Sequence, residues 1–435
     1  MLRRKLRRRS VAEPGYAIAV EERFGHYDEA MSGTGWVWIH AVSLGETRAA
    51  GILIDALRHQ DPSLRVLLTN GTATGREEGA RLLGPNDLQV WQPWDTPEAV
   101  QRFLERFRPR IGILMETEIW PVLTAECAKR GIPLVLANAR LNEKSLASAK
   151  RLAWLARPTY ASLAAVWAQT EADSHRLVSA GARVDGVFGN LKFDATPDAV
   201  QLGRAARLRE KVPKPVVVFA SSRDGEESQL LDILQHLRHA PPVGWSPAAG
   251  KKVHLPIQAV QWMVVPRHPQ RFDEVAQLIE SKGFVCARRS APAAVEGGDT
   301  DIWLGDSLGE MALYYGLADV ALLGGSFEPL GGQNLIEAAA CGCPIIMGPS
   351  TFNFAEAAEL SLAGGASIRV EDMEQAVVGA LSLLADPVRQ NTMVQAALTF
   401  SSAHRGAAAR TAAAIGMLLA QRPVPFSEAS EPEAA

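Results

Sequence analysis

Trp38-Ile-His-Ala-Val-Ser-Leu-Gly-Glu46 opens as an apolar run and closes on a small polar turn. Its first half reads as a buried strand, and Ser43-Leu-Gly45 as a tight turn into a helix that begins near Glu46. Strand, turn and helix in that order form the repeating unit of a parallel α/β sheet. The same unit recurs outward from it. Strand candidates at Val37–Val42, Arg65–Thr69, Ile111–Met115, Leu134–Ala137, Ala165–Ala168 and Gly186–Phe188 alternate with helical spacings such as Thr47–Gln60 and Pro97–Phe107. A second series starts at Pro215–Ala220 and continues at Gln261–Val265, Gly283–Ala287, Ile302–Leu304, Val320–Leu323 and Pro344–Met347. Two such series predict an α/β protein of two Rossmann-like domains, residues 1–201 and 215–421, joined through the charged stretch Leu202–Pro213. The Pro-, Gly- and Lys-rich stretch Ala240–Pro256 reads as a surface insertion, and Arg422–Ala435 as a disordered tail with little to bury.

Composition agrees with that division. At 435 residues the chain is too long for one ordinary core and suits two domains of roughly 200 residues each. Hydrophobic residues make up 47% and charged residues 21%, a globular balance. A net charge of -3 argues against nucleic acid as a partner. Cys127, Cys286, Cys341 and Cys343 lack both zinc-ligand spacing and the look of a disulfide framework, so no metal site is expected and a reducing cytoplasm fits. The opening MLRRKLRRR carries six basic side chains, with no apolar run after it long enough to span a bilayer or act as a secretory signal. It reads either as a solvated terminus or as a contact with anionic lipid, each basic residue adding about 1 kcal/mol at the surface.

Candidate chemistry gathers where the strands end, because open α/β sheets bind ligands beyond the carboxyl ends of their strands. At the first such turn Gly45 suits close backbone approach or a positive φ. Glu46 is either a carboxylate for the cleft or the partner of Ser43 in an S-x-x-E capping box, which spacing alone favours. In Leu114-Met-Glu-Thr-Glu-Ile-Trp-Pro121, Glu116 and Glu118 lie two apart, so an extended backbone points both the same way. An acidic first turn beside Pro121 explains them equally well. Asn138-Ala-Arg140 adds hydrogen-bonding groups to the same rim. In the second half Arg267 and His268 follow the strand Trp262-Met-Val-Val-Pro266, suited to a bidentate phosphate contact or to a rim ion pair. Gly305-Asp-Ser-Leu-Gly-Glu310 is a further strand-to-helix turn.

The loop Leu323-Gly-Gly-Ser-Phe-Glu-Pro-Leu-Gly-Gly-Gln-Asn-Leu-Ile-Glu337 carries the strongest signal. Gly324 and Gly325 follow a strand, and Gly331 and Gly332 precede a helix opening at Gln333-Asn334. Such a loop is expected to turn backbone N–H groups toward a nucleotide phosphate, with Glu337 accepting from ribose hydroxyls. The chain has no Walker loop, no G-x-S-x-G elbow and, in its first domain, no dinucleotide fingerprint.

These residues resemble a known family, the 3-deoxy-D-manno-octulosonic acid (Kdo) transferases of lipopolysaccharide assembly, from about Arg23 to Arg410. The resemblance rests on ordered motifs: His40-Ala-Val-Ser-Leu-Gly-Glu46, Thr69-Asn-Gly-Thr-Ala-Thr-Gly75, Met115-Glu-Thr-Glu-Ile-Trp-Pro121 and Asn138-Ala-Arg140. Later come Gly189-Asn-Leu-Lys192, Val265-Pro-Arg-His268, Gly305-Asp-Ser-Leu-Gly-Glu310 and Gly324-Gly-Ser326 through Glu337. It implies a GT-B fold, two Rossmann-like domains facing across a central cleft. It also implies an inverting transfer of Kdo from CMP-Kdo to a lipid A precursor (lipid IVA), without metal or cofactor, at the cytoplasmic face of the bacterial inner membrane, and without the family's apolar N-terminus the attachment expected here is peripheral. By resemblance Glu46 is the general base, Arg267 holds the CMP phosphate, Asn334 and Glu337 bind the nucleotide, and Glu118 lines the cleft.

Three places depart from the family pattern. The apolar N-terminus is missing, Gln333 stands where histidine is usual, and the Ser-Thr-His stretch reads Ser221-Ser-Arg-Asp-Gly-Glu226. Two rivals remain: a GT-B transferase or epimerase using a UDP-sugar, and a non-catalytic nucleotide-binding protein of the membrane surface.

Overall fold

The structure, a computed structural model, describes residues 2–29, 31, 33–239, 255–291 and 300–421. The expected disordered tail, and the expected insertion apart from its last two residues, lie outside the described residues. The chain divides into two compact units, one of residues 1–194 and 404–435 and the other of residues 195–403.

The first unit holds strands β1 (Val37–His40), β2 (Val66–Asn70), β3 (Leu88–Trp91), β4 (Ile111–Met115), β5 (Leu134–Ala139), β6 (Ala165–Ala168) and β7 (Gly186–Val187). They form one parallel sheet in the order β3-β2-β1-β4-β5-β6-β7. The second holds β8 (Val216–Ser222), β9 (Gln261–Pro266), β10 (Cys286–Arg288), β11 (Ile302–Leu304), β12 (Val320–Leu323), β13 (Ile345–Met347) and β14 (Ser367–Arg369). Its order is β10-β11-β9-β8-β12-β13-β14, again parallel. The expected α/β class and the two series are therefore present. Helix Pro97–Phe107 has the bounds that its spacing predicts. The two strands not anticipated, β3 and β14, each end a sheet, where one side has no neighbour and the residues are mixed in character.

Both sheets are buried on both faces, so their central strands are continuous apolar runs. In the first unit Val37, Ile39 and Ala41 join Leu53, Leu57 and Ile415 on one face, while Trp38 packs with Phe103 and Phe107 on the other. The expected boundaries at 201 and 421 shift for a related reason. Helix Ala407–Ala420 returns to the first unit, where Ala408, Ala412 and Ile415 are buried. Asp194 receives the N–H groups of Gly406 and Ala408 at its start. Helix Ala199–Arg209, expected at the junction, instead packs in the second unit. Gln201 there donates to the Gly309 carbonyl at 2.8 Å, and Arg209 pairs with Asp319 at 2.9 Å.

In each sheet the winding reverses once, between β1 and β4 in the first and between β8 and β12 in the second. At such a switch point the connections on either side leave in opposite directions, and a crevice opens beyond the strand ends. The four loops that follow β1, β4, β8 and β12 carry most of the residues singled out above.

Candidate active site

At the first switch point, helix Leu44–Gln60 begins beside the end of β1. The capping box predicted from spacing is formed. Ser43 Oγ accepts from the Glu46 N–H at 3.4 Å, and the Glu46 carboxylate accepts from the Ser43 N–H at 3.4 Å. The same carboxylate accepts from the Val42 N–H at 2.6 Å, and it is 8% exposed. Capping and presentation to the crevice are thus one arrangement. Buried Asn70, at the end of β2, holds this turn from below, donating to the Ala41 carbonyl at 2.9 Å and to Thr47 Oγ1 at 3.0 Å. Gly45 does not have a positive φ, contrary to one expectation. A Cβ added there meets nothing within 4 Å, so the protein itself does not require glycine at this point.

Glu116 and Glu118 are neither extended nor in a first helical turn, because the next helix starts at Pro121. Glu116 turns at φ 57°, a region that costs a side-chain-bearing residue about 1–3 kcal/mol. Its buried carboxylate pairs with Arg140 Nε at 2.8 Å and with Lys192 Nζ at 3.2 Å. Lys192 was not singled out from spacing. It arrives from the 3-10 turn Leu191–Asp194, whose Leu191 N–H donates to Asn138 Oδ1 at 3.1 Å. Its only signal was its place in the Gly189–Lys192 motif. Glu118 accepts from Trp120 Nε1 at 2.9 Å.

The three carboxylates act on one another. Burial and then the Glu116 charge raise the Glu46 carboxyl above the usual range, against the bonds from Val42 and Ser43. Burial and then the Glu46 charge push Glu118 up to about 7. A carboxylate raised in this way is a stronger base than an exposed one, which suits proton removal from a hydroxyl.

At the second switch point, the Arg267 N–H donates to the Ser222 carbonyl at 3.0 Å, which sets the end of β9 against that of β8. Partial burial, then the charges of Arg223, Arg267 and Arg271, hold the His268 imidazole below its usual range. Three guanidinium groups therefore act on this imidazole from nearby.

The glycine loop differs from expectation. The N–H groups of all four glycines are already bonded within the unit. Gly324 donates to the Ala220 carbonyl at 2.9 Å, Gly332 to the Gly325 carbonyl at 2.8 Å and Gly331 to Ser350 Oγ at 2.9 Å. Gly325 donates at 2.8 Å to Glu226, a fully buried carboxylate that also receives the Phe327 N–H at 3.2 Å and the Arg223 N–H at 2.9 Å. Helix Leu335–Ala340 is six residues long, and its cap Asn334 Oδ1 takes the Ile336 N–H at 3.1 Å. The glycine amides of this loop are thus committed within the unit and do not face outward as expected. The glycines serve conformation and closeness instead. Gly325, Gly331 and Gly332 have φ of 69°, 85° and 72°, and a Cβ on Gly324 would lie 2.3 Å from the Ser221 carbonyl oxygen. Glu337 borders a cavity of about 280 Å³ with Thr196, Gln201, Gly309 and Ala312.

Residues 19–195 match the family model described as 3-deoxy-D-manno-octulosonic-acid transferase (kdotransferase). The chain is 45% identical over 380 residues to a 3-deoxy-D-manno-octulosonic acid transferase of Bordetella pertussis, covering 86% of this chain and 85% of that one. It is 32% identical over 352 residues to the transferase of that name from Haemophilus influenzae, covering 80% and 78%. Among solved structures, UDP-GlcNAc 2-epimerase from Neisseria meningitidis superposes with a TM-score of 0.55 at 16% identity, over 90% of this chain and 100% of that one. That likeness shows the fold, which is GT-B.

Proposed function

The chain belongs to the 3-deoxy-D-manno-octulosonic-acid transferases, glycosyltransferases of lipopolysaccharide synthesis, and from that premise we propose that it moves Kdo from CMP-Kdo to lipid IVA with Glu46 as base. The observation that carries this reading is the Glu46 carboxylate, fixed by Val42 and Ser43 at a switch point and raised in basicity by burial and by Glu116. Glu46 takes the proton of an acceptor hydroxyl, whose oxygen attacks the anomeric carbon of Kdo. The bond from that carbon to the phosphate oxygen breaks, and CMP leaves with the electron pair. Arg267 and His268 receive the growing phosphate charge, an electrostatic role that needs no metal. Asn334 and Glu337 hold the ribose end, with the cavity beside Glu337 taking the nucleoside. Glu118, Ser43 and the Glu116–Arg140–Lys192 group orient the acceptor.

Membrane contact belongs to the same proposal. Among the described residues no helix is long and apolar enough to cross a bilayer. Helix Leu2–Ala12 exposes Arg7, Arg8 and Arg9, while its Arg3 pairs with Glu21 and its Leu6 is buried. A peripheral contact with the anionic cytoplasmic face of the inner membrane is consistent with that distribution.

Purified protein given CMP-Kdo and tetra-acylated lipid A precursor tests the reading, with products counted by mass. Transfer by the parent chain and its loss in Glu46→Ala are the expected results. Near-parental transfer by Glu46→Ala sinks the mechanism, and equal inhibition by UMP and CMP sinks the donor.

A further inference from the structure

Three guanidinium groups surround His268, and their commitments differ. Arg271 pairs with Glu227 at 2.8 Å, Glu274 at 3.1 Å and Asp224 at 3.3 Å, so its charge is matched within the unit. Arg267 carries the phosphate in the function proposed above. Arg223 is half-buried, and among the described residues its guanidinium pairs with no carboxylate. Its main chain is nevertheless held firmly, with its N–H on the buried Glu226 and its carbonyl accepting from the Glu226 N–H at 3.0 Å. A half-buried cation on a fixed backbone with no counter-ion is an arrangement that a bound anion completes.

A second donor stands beside it. From the position that a Cβ on Gly325 would take, Gln333 Nε2 is 3.1 Å away and Arg223 Cγ 3.5 Å. Both side chains therefore cover the same small face of the glycine loop. One comes from the loop after β8 and one from the loop after β12, on either side of the second switch point. They are also two of the three places where the sequence departs from its family's pattern, and the fold makes them neighbours.

We propose that Arg223, with Gln333 beside it, receives the carboxylate of the donor's acidic sugar, leaving the phosphate to Arg267. The assignment rests on CMP-Kdo being the donor. That molecule has two anionic groups, a phosphodiester and a sugar carboxylate, and with Arg267 assigned to the phosphate the carboxylate is left for Arg223. A guanidinium and a carboxamide together supply the parallel N–H groups that a planar carboxylate accepts.

Steady-state kinetics of the full chain separate the two anions. In Arg223→Ala the KM for CMP-Kdo is expected to rise roughly ten- to a hundredfold, the loss of one charge-assisted contact. The inhibition constant of CMP, which lacks the sugar, and the KM for the lipid acceptor are expected to stay as in the parent. Arg223→Lys should fall between, and thermal melts confirm that both variants fold. If CMP inhibition weakens along with the donor KM, Arg223 serves the phosphate and the assignment is wrong. An unaltered donor KM overturns it as well. A parent chain that does not use CMP-Kdo removes the proposed function and this inference with it, whereas an active parent beside an indifferent Arg223→Ala removes the inference alone.

Discussion

Glu118 is held by a single indole N–H at the edge of a carboxylate cluster, and its protonation is the most readily measured property of that cluster. Its folded pKa of about 7 lies above that of an unfolded glutamate, near 4.5. Its contribution to stability is therefore complete below about pH 4.5 and is lost as pH rises through about 7. Glu118→Gln is expected to flatten the decline of Tm across that window, with a gain of about 1–3 kcal/mol at the alkaline end. A difference between variant and parent that does not change with pH rules this out. Gly45 offers a complementary test. Alanine there meets open space and favours the helix by about 0.5–1 kcal/mol. Gly45→Ala is thus expected to keep or raise the Tm while slowing transfer roughly tenfold or more, if acceptor or donor approaches the helix start closely. Unchanged turnover would show that nothing comes near this backbone.

The glycine loop after β12 owes its shape to an element it does not belong to. Glu226 opens helix Glu226–His239 and reaches across the switch point to the Gly325 and Phe327 N–H groups. Removing it leaves three donors without partners, the Gly325 N–H buried and those of Phe327 and Arg223 partly buried, each worth up to about 1–3 kcal/mol. Glu226→Ala should therefore lower the Tm by several degrees and speed hydrogen exchange at Gly325 and Phe327 more than elsewhere in the sheet. Uniform exchange would refute the bracing role. This carboxylate also marks the limit of what the sequence discloses. Trp38–Glu46 and Leu323–Glu337 announce a strand, a turn and a helix because apolar runs and glycines are local signals. The partner of the Gly325 N–H lies about a hundred residues away, and so no spacing rule finds it. Lys192 escapes in the same way, since its carboxylate partner is Glu116. Strands β3 and β14 escape for a different reason. With one side unpaired, Leu88-Gln-Val-Trp91 and Ser367-Ile-Arg369 need not be continuously apolar, and they resemble their flanking loops.

At the scale of the molecule, one unit is a single stretch of chain and the other is not. The second unit runs from 195 to 403, whereas the first needs residues 404–421 to cover Ala49, Leu53 and the other apolar residues of its β1 face. A chain ending at residue 403 is expected to keep the second unit's melting transition and to lose or sharply lower the first's. Calorimetry showing both transitions intact would contradict this. The donor chemistry proposed for the second unit also predicts that EDTA leaves transfer unchanged, and a strong loss would implicate a metal.

The same discontinuity bears on how the protein is made. Ribosomes add about 5–20 residues each second, so roughly ten to forty seconds separate the emergence of Asp194 from that of Gly406, which caps against it. During that interval the β1 face of the first unit lacks the cover of helix Ala407–Ala420, while the second unit is made from end to end and is complete once residue 403 has emerged. The half of the protein translated first is therefore the half completed last, and a chaperone bound to the nascent chain would find its apolar target around Leu53 and Leu57.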